Sequence, residues 1–162
     1  MQWDVVQAIS SIFGTISVTL TVVYLAIQVR RNTRATYSQT YQFATQALAE
    51  MAAIIGETKE KSRIFVIGLA DPSKLEKDEY LQFAYLSISV FRRYENVFFQ
   101  HQSAMINDDF WFAHRENIIW VFHRPGTQAW WQERRLGFSH SFREFLESTS
   151  PQDVSSPGIR QV

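Results

Sequence analysis

The sequence predicts an all-α protein in which a single transmembrane helix continues into a cytoplasmic helical bundle. Apolar residues recur at spacings of three and four, one uncharged run is long enough to cross a bilayer, and no segment alternates long enough to form a sheet. We divide the 162 residues into a transmembrane helix at 1–30, a cytoplasmic helical domain at 31–148 and a flexible or partner-bound tail at 149–162.

The predicted transmembrane helix is the uncharged run from Val5 to Ile27. Its roughly 23 residues span about 34 Å as a helix, slightly more than a hydrocarbon core of about 30 Å. Trp3 precedes the run, and Arg30, Arg31 and Arg34 follow it. Tryptophan and arginine concentrate at membrane interfaces, so we expect these four side chains to contact lipid headgroups. The arginines favour an outside N-terminus and a cytoplasmic C-terminal domain.

A stripe of small and polar side chains, here called the seam, runs along this helix. Its members recur at spacings of four and three: Ser10, Gly14, Ser17, Thr21, Tyr24 and Gln28. In lipid, such residues let helices approach closely and form hydrogen bonds with each other. We therefore expect the seam to pack against other helices. The alternative is a buried helix of a soluble protein, because the hydroxyl residues weaken the hydropathy of the run.

The first helix is expected to continue beyond the arginines, because 31–55 contains neither glycine nor proline. Its apolar residues again follow a helical period: Tyr37, Tyr41, Ala44, Leu48, Met51 and Ile55. At about 100° per residue, this second stripe points away from the seam. We expect it to pack on the chain's own domain.

Start and stop signals place the remaining helices. Gly56 ends the first helix. Ser73 with Glu76, and Ser141 with Glu144, have the spacing of capping boxes that open two later helices. We expect helices at 59–69, 74–105, 108–122, 128–136 and 141–147.

Composition excludes several functional classes. The 16 basic and 16 acidic residues give a formal net charge of zero, so the chain lacks the positive field that nucleic-acid binding requires. Without cysteine it has no thiolate metal site. The four histidines do not form a zinc or di-iron pattern, and no phosphate-binding loop or nucleophile elbow is present. We expect no metal, no cofactor and no catalytic residue.

The third helix has a wide apolar face, so we expect it to be the central element of the domain. Arg92 and Glu95 are charged residues that fall within its apolar stripes. We expect a buried ion pair of Glu95 that sets the helix register, because buried charges require partners. The partner is Arg92 or an arginine of another helix, such as Arg115, Arg134 or Arg135. The alternative role of Glu95 is a proton-handling carboxyl group with a raised pKa. Trp130 and Trp131 are adjacent and cannot both face one way, so one of them is expected at a partner surface.

Four segments resemble blocks of a widespread group of uncharacterised small bacterial proteins with one N-terminal membrane helix. They are Tyr24–Thr33, Phe91–Gln100, Ala129–Arg135 and Phe142–Glu147. The resemblance covers most of the chain and implies an anchored helical domain in a bacterium, hence the inner membrane. It implies no activity, cofactor or catalytic residue.

These observations lead us to expect a non-catalytic, membrane-anchored helical interaction or assembly subunit of a bacterial membrane protein complex, docking through the seam. Its partners would be membrane lipid and either other membrane protein subunits or copies of itself. The alternative is a homo-oligomeric channel whose pore is lined by the Ser and Thr side chains of the seam. A third hypothesis is an enzyme that uses Glu95 in a cavity of the bundle.

Overall fold

The computed structural model describes residues 2–151 of the chain, apart from the side chains at 2, 4–6, 8–13 and 15. Over that part the protein is helical and contains no strand, which confirms the all-α prediction. Met1 and 152–162 lie outside the described residues, so most of the predicted tail does too.

The described residues form six α-helices and two short 3-10 helices. The α-helices are α1 (Gln2–Gly56), α2 (Lys59–Ala70), α3 (Lys77–Gln102), α4 (Asp108–Phe122), α5 (Pro125–Arg134) and α6 (His140–Glu147). The 3-10 helices are Pro72–Lys74 and Arg135–Gly137. The continuous 55-residue α1 confirms that the first helix runs through the arginine cluster to Gly56.

The predicted start of α3 is wrong. Ser73 lies in the 3-10 helix, where its backbone N–H donates to the Asp71 carboxylate at 3.1 Å. The capping box is formed instead by Glu76 and Glu79, and α3 begins at Lys77. Asp71 caps the 3-10 helix that contains Ser73, and sequence spacing alone does not rank the two possible capping boxes, Ser73 with Glu76 and Glu76 with Glu79.

The starts of α5 and α6 also differ from the prediction. Pro125 occupies the first turn of α5, a position where its missing N–H costs nothing. In α6 the N-cap is Ser139, so Ser141 lies inside the helix and does not cap it. The Ser139 N–H donates to Glu95 of α3 at 2.7 Å. A tertiary contact therefore sets the start of α6.

The chain divides into two compact units, residues 1–39 and 40–162. The first unit is a single helical segment of α1. The second unit, which we call the body, contains the rest of α1 and all the other helices.

Within the body, the last part of α1 packs against the core. Ala44 is fully buried, and Leu48, Met51 and Ile55 pack against the core cluster. The Tyr41 ring meets the edge of Phe110 with centroids 5.0 Å apart. From Tyr41 onward, these contacts confirm that the second apolar stripe of α1 packs on the chain's own domain.

Aromatic side chains around α3 fill the centre of the body. The Phe91 ring lies 5.2 Å from Trp130 and 5.7 Å from Trp131, measured between centroids. Phe122 of α4 and Phe138 of the α5–α6 connection also contact Phe91. Rings at these separations bury large areas and add favourable edge and face contacts. As predicted from its wide apolar face, α3 is the central element.

Two glycines let α2 pack closely against α5 and α3. A Cβ added at Gly126 would overlap the carbonyl oxygen of Gly68, and a Cβ added at Gly68 would overlap the Phe83 ring of α3. Both obstacles are held in place by the packed core. The α2–α5 contact therefore requires glycine at 126, and the α2–α3 contact requires glycine at 68.

We predict that Gly126→Ala lowers the free energy of unfolding by about 3 kcal/mol, because the backbone of α2 must move to admit the methyl group. Denaturant unfolding of the full chain in detergent, followed by tryptophan fluorescence, measures the change. Gly56→Ala is the matched control, since a Cβ at Gly56 meets nothing within 4 Å. Its effect should stay within about 0.5 kcal/mol. Equal stability of the two variants would contradict the close approach.

Candidate functional site

The first unit presents a long exposed helical surface. Every side chain described from residue 16 to residue 39 is exposed. The large apolar ones are between 48% and 65% exposed: Ile16, Val18, Leu20, Val22, Val23, Leu25, Ile27 and Val29. Contiguous exposed apolar surface of this kind marks a contact with lipid or with another protein.

The seam lies on this unit, and its described members are all exposed: Gly14, Ser17, Thr21, Tyr24 and Gln28. The side chain of Ser10 lies outside the described residues. A Cβ at Gly14 meets nothing within 4 Å. The Thr21 hydroxyl donates to the Ser17 carbonyl at 2.8 Å, so its proton is satisfied inside the helix. Docking through the seam stays a prediction.

The four residues predicted at lipid headgroups, Trp3, Arg30, Arg31 and Arg34, are exposed. No helix in the described part of the chain combines the length and the apolar character needed to cross a membrane. Most side chains of the first third of the predicted span lie outside that part. The transmembrane assignment is therefore not confirmed and stays a prediction.

Arg92 and Glu95 form the predicted ion pair, with Arg92 Nη1 and Glu95 Oε2 2.6 Å apart. The Glu95 side chain is 16% exposed, whereas that of Arg92 is 51% exposed, so only the carboxylate half of the pair is largely buried. The Arg92 guanidinium lies at the surface, where its two terminal nitrogens donate to the Glu95 carboxylate and to the Gly137 carbonyl. The predicted burial is therefore confirmed in part for Glu95 and is wrong for Arg92.

The pair fastens the connection between α5 and α6 to α3. Arg92 Nη2 donates to the Gly137 carbonyl at 2.7 Å, and its guanidinium lies 4.6 Å from the centre of the Phe138 ring. Glu95 Oε1 accepts from the Ser139 N–H. Three consecutive residues of the connection are thus held by one pair of side chains, which we call the Arg92–Glu95 clamp.

The electrostatics of Glu95 differ from those of a proton-handling group. Burial alone raises its pKa, but hydrogen bonds from the Ser139 backbone and from Arg92 outweigh burial and lower the pKa below 4.5. The alternative of a raised pKa is therefore wrong. The structure supports the ion-pair role.

The expectation that Trp130 or Trp131 lies at a partner surface is wrong, because both are buried, with 0% and 1% exposure. Neighbouring residues on a helix point about 100° apart, and α5 is covered on both sides. Trp130 packs on Phe91 of α3. The Trp131 Nε1–H donates to Glu147 of α6 at 3.0 Å.

Sequence reasoning missed a shallow groove of about 460 Å³ on the body. It lies between the end of α1, α2 and the first half of α3, and it is lined by Ile54, Lys61, Asp78, Leu81, Gln82, Tyr85, Leu86 and Ser89. Leu81 and Tyr85 belong to an apolar stripe of α3. They are 50% and 64% exposed.

The described residues contain no group of three or more His, Cys, Asp or Glu side chains that could hold a metal ion. Comparisons of the chain with protein-family models, curated proteins and solved structures found no match.

We predict that Glu95→Gln destabilises the body by about 1–2 kcal/mol at neutral pH, since hydrogen bonds to a charged acceptor are lost. Because folding lowers the pKa of Glu95, its stabilisation is fully present above pH 4.5 and disappears as the pH falls through the lower folded pKa. The stability difference between wild type and variant should shrink below pH 4.5. Unfolding curves between pH 7 and pH 3 measure it.

Glu60→Gln is the control, because Glu60 is exposed and forms no ion pair with a described residue. Its stability curve should follow that of the wild type. If the Glu95→Gln difference stayed constant with pH, the lowered pKa would be refuted.

Proposed function

We propose that this chain is a membrane-anchored, non-catalytic interaction subunit, in which α1 enters the bilayer and docks through the seam to helices of a partner. The observation that carries the proposal is the exposed apolar side chains between Ile16 and Val29. A helical surface this apolar is unfavourable in water, and acyl chains or other helices shield it from water.

Two features favour a bilayer as part of that cover. The run from Val5 to Ile27 contains no charge, and three arginines follow it within seven residues. Hydroxyl donors on the helix also bond to carbonyls one turn earlier, as Thr21 does to Ser17. Such internal bonds reduce the cost of removing the hydroxyl groups from water.

The side chains of α1 divide naturally between lipid and protein. Val22 and Val23 are apolar and suit acyl chains, whereas Ser17, Thr21 and Gln28 offer small or polar groups. Polar groups in the membrane usually face protein, where they find partners. The partners that fit the seam are other membrane protein subunits or copies of this chain.

The proposed orientation has the N-terminus outside and the body in the cytoplasm, because Arg30, Arg31 and Arg34 follow the span. The resemblance to small bacterial proteins with one N-terminal membrane helix leads to the same arrangement in the inner membrane.

We predict that the chain stays in the membrane fraction of expressing bacteria after an alkaline carbonate wash. Ile16→Arg places a charge near the middle of the proposed span, at a cost of about 2.5–3.5 kcal/mol, and should shift the protein towards the wash. Ile16→Leu is the matched control and should remain in the membrane. Complete release of the wild type would refute membrane anchoring.

We also predict that the seam brings helices together. Because the chain has no cysteine, a single cysteine reports one contact. After addition of a thiol oxidant, Thr21→Cys should form disulfide-linked species in membranes, either with a copy of the chain or with a cysteine-bearing partner. Val23→Cys lies at nearly the same depth but about 200° around the helix, and it should form far fewer.

Adding Gly14→Leu to the Thr21→Cys chain should reduce crosslinking without releasing the protein from the membrane, because bulk at the seam separates the helices and keeps them apolar. Equal crosslinking at positions 21 and 23, or no effect of Gly14→Leu, would count against the seam.

The exposed Ser17 and Thr21 side chains also fit the alternative of a homo-oligomeric pore. That alternative predicts ion currents from purified protein in planar bilayers, and a change of those currents in Ser17→Leu or Thr21→Leu. An electrically silent protein that crosslinks through Thr21→Cys would favour the interaction subunit.

A further inference from the structure

The groove on the body is an unpartnered apolar surface built by three helices. Ile54 comes from α1, Lys61 from α2, and Leu81 and Tyr85 from α3. Tyr85 is 64% exposed although it is a large aromatic residue next to an apolar depression. The groove therefore consists of an apolar depression with the exposed Tyr85 ring at its side.

The charges of the groove are one of each sign. Lys61 Nζ lies 2.5 Å from Glu57 Oε2, and the ammonium group has further protons to donate. Asp78, in the first turn of α3, forms no ion pair with a described residue. One cation and one anion thus accompany Leu81 and Tyr85.

We propose that a second copy of this chain occupies the groove, in a two-fold contact that pairs Lys61 of each copy with Asp78 of the other. In such a contact, each surface must be complementary to itself. A surface with one positive and one negative side chain meets this condition, because the two-fold rotation places the positive side chain of each copy opposite the negative side chain of the other.

The apolar residues of the groove suit the centre of this contact. Tyr85 of one copy projects into the hollow beside Leu81 and Ile54 of the other, and the reciprocal insertion completes the contact. Aromatic residues in such positions commonly carry much of the binding energy, while charged residues lie at the rim. This contact is separate from the seam and involves no residue of the first unit.

The test is a charge exchange in the full-length chain, purified in detergent and followed by light scattering over a concentration series. All proteins carry Gly14→Leu, so that association through α1 is weakened. Lys61→Glu alone places two acidic side chains together at both charge contacts of the dimer, and Asp78→Lys alone places two lysines together there. Each variant should weaken dimerisation about tenfold or more. In an equimolar mixture of the two variants, both contacts become attractive, and mixed dimers should form with nearly the original affinity.

Recovery in the mixture also demonstrates that the two variants are folded. Tyr85→Ala should weaken the dimer about tenfold, whereas Phe112→Ala should not, because Phe112 is 60% exposed but lies on α4 outside the groove. The proposal is overturned if the single charge variants dimerise like the parent, or if the mixture dimerises no better than either one. Loss of the seam contact would lower association equally in every variant and would not imitate this pattern.

Discussion

The packing of aromatic side chains on α3 is the interaction on which the body depends. Phe91 is in contact with rings from α4, from α5 and from the connection that follows α5. Beside this cluster, Gly126 lets α5 approach the backbone of α2, and Gly68 leaves room for the Phe83 ring of α3. The aromatic rings supply the buried area of the core, and the two glycines allow α2 to pack closely against α5 and α3.

The long helix α1 has two environments along one continuous backbone. From Tyr41 to Ile55 its apolar side chains face the aromatic core, and from Ile16 to Val29 they are exposed. The chemistry of the two segments is similar, but within the described part of the chain only the segment from Tyr41 to Ile55 is covered by other residues of the protein. This difference makes the segment from Ile16 to Val29 the strongest candidate for an external contact, whether with lipid or with protein.

Charged residues of the described part of the body form local contacts. The Arg92–Glu95 clamp holds the residues between α5 and α6, and its carboxylate is stabilised in the ionised form. The groove differs, because Asp78 forms no ion pair with any residue that the structure describes. The Arg92–Glu95 pair therefore stabilises the fold, whereas Asp78 is assigned a role only in the proposed association.

Helical periodicity by itself determined the fold class, the extent of α1, the central place of α3 and the pairing of Arg92 with Glu95, because these depend on residues close together in the chain. Only the tertiary structure decided the capping of α3 and α6, the burial of Trp130 and Trp131 together, and the exposure of Leu81 and Tyr85. Each of these depends on which helices cover a given face. A helical stripe shows that a face is apolar, but its neighbours in space decide whether that face is buried.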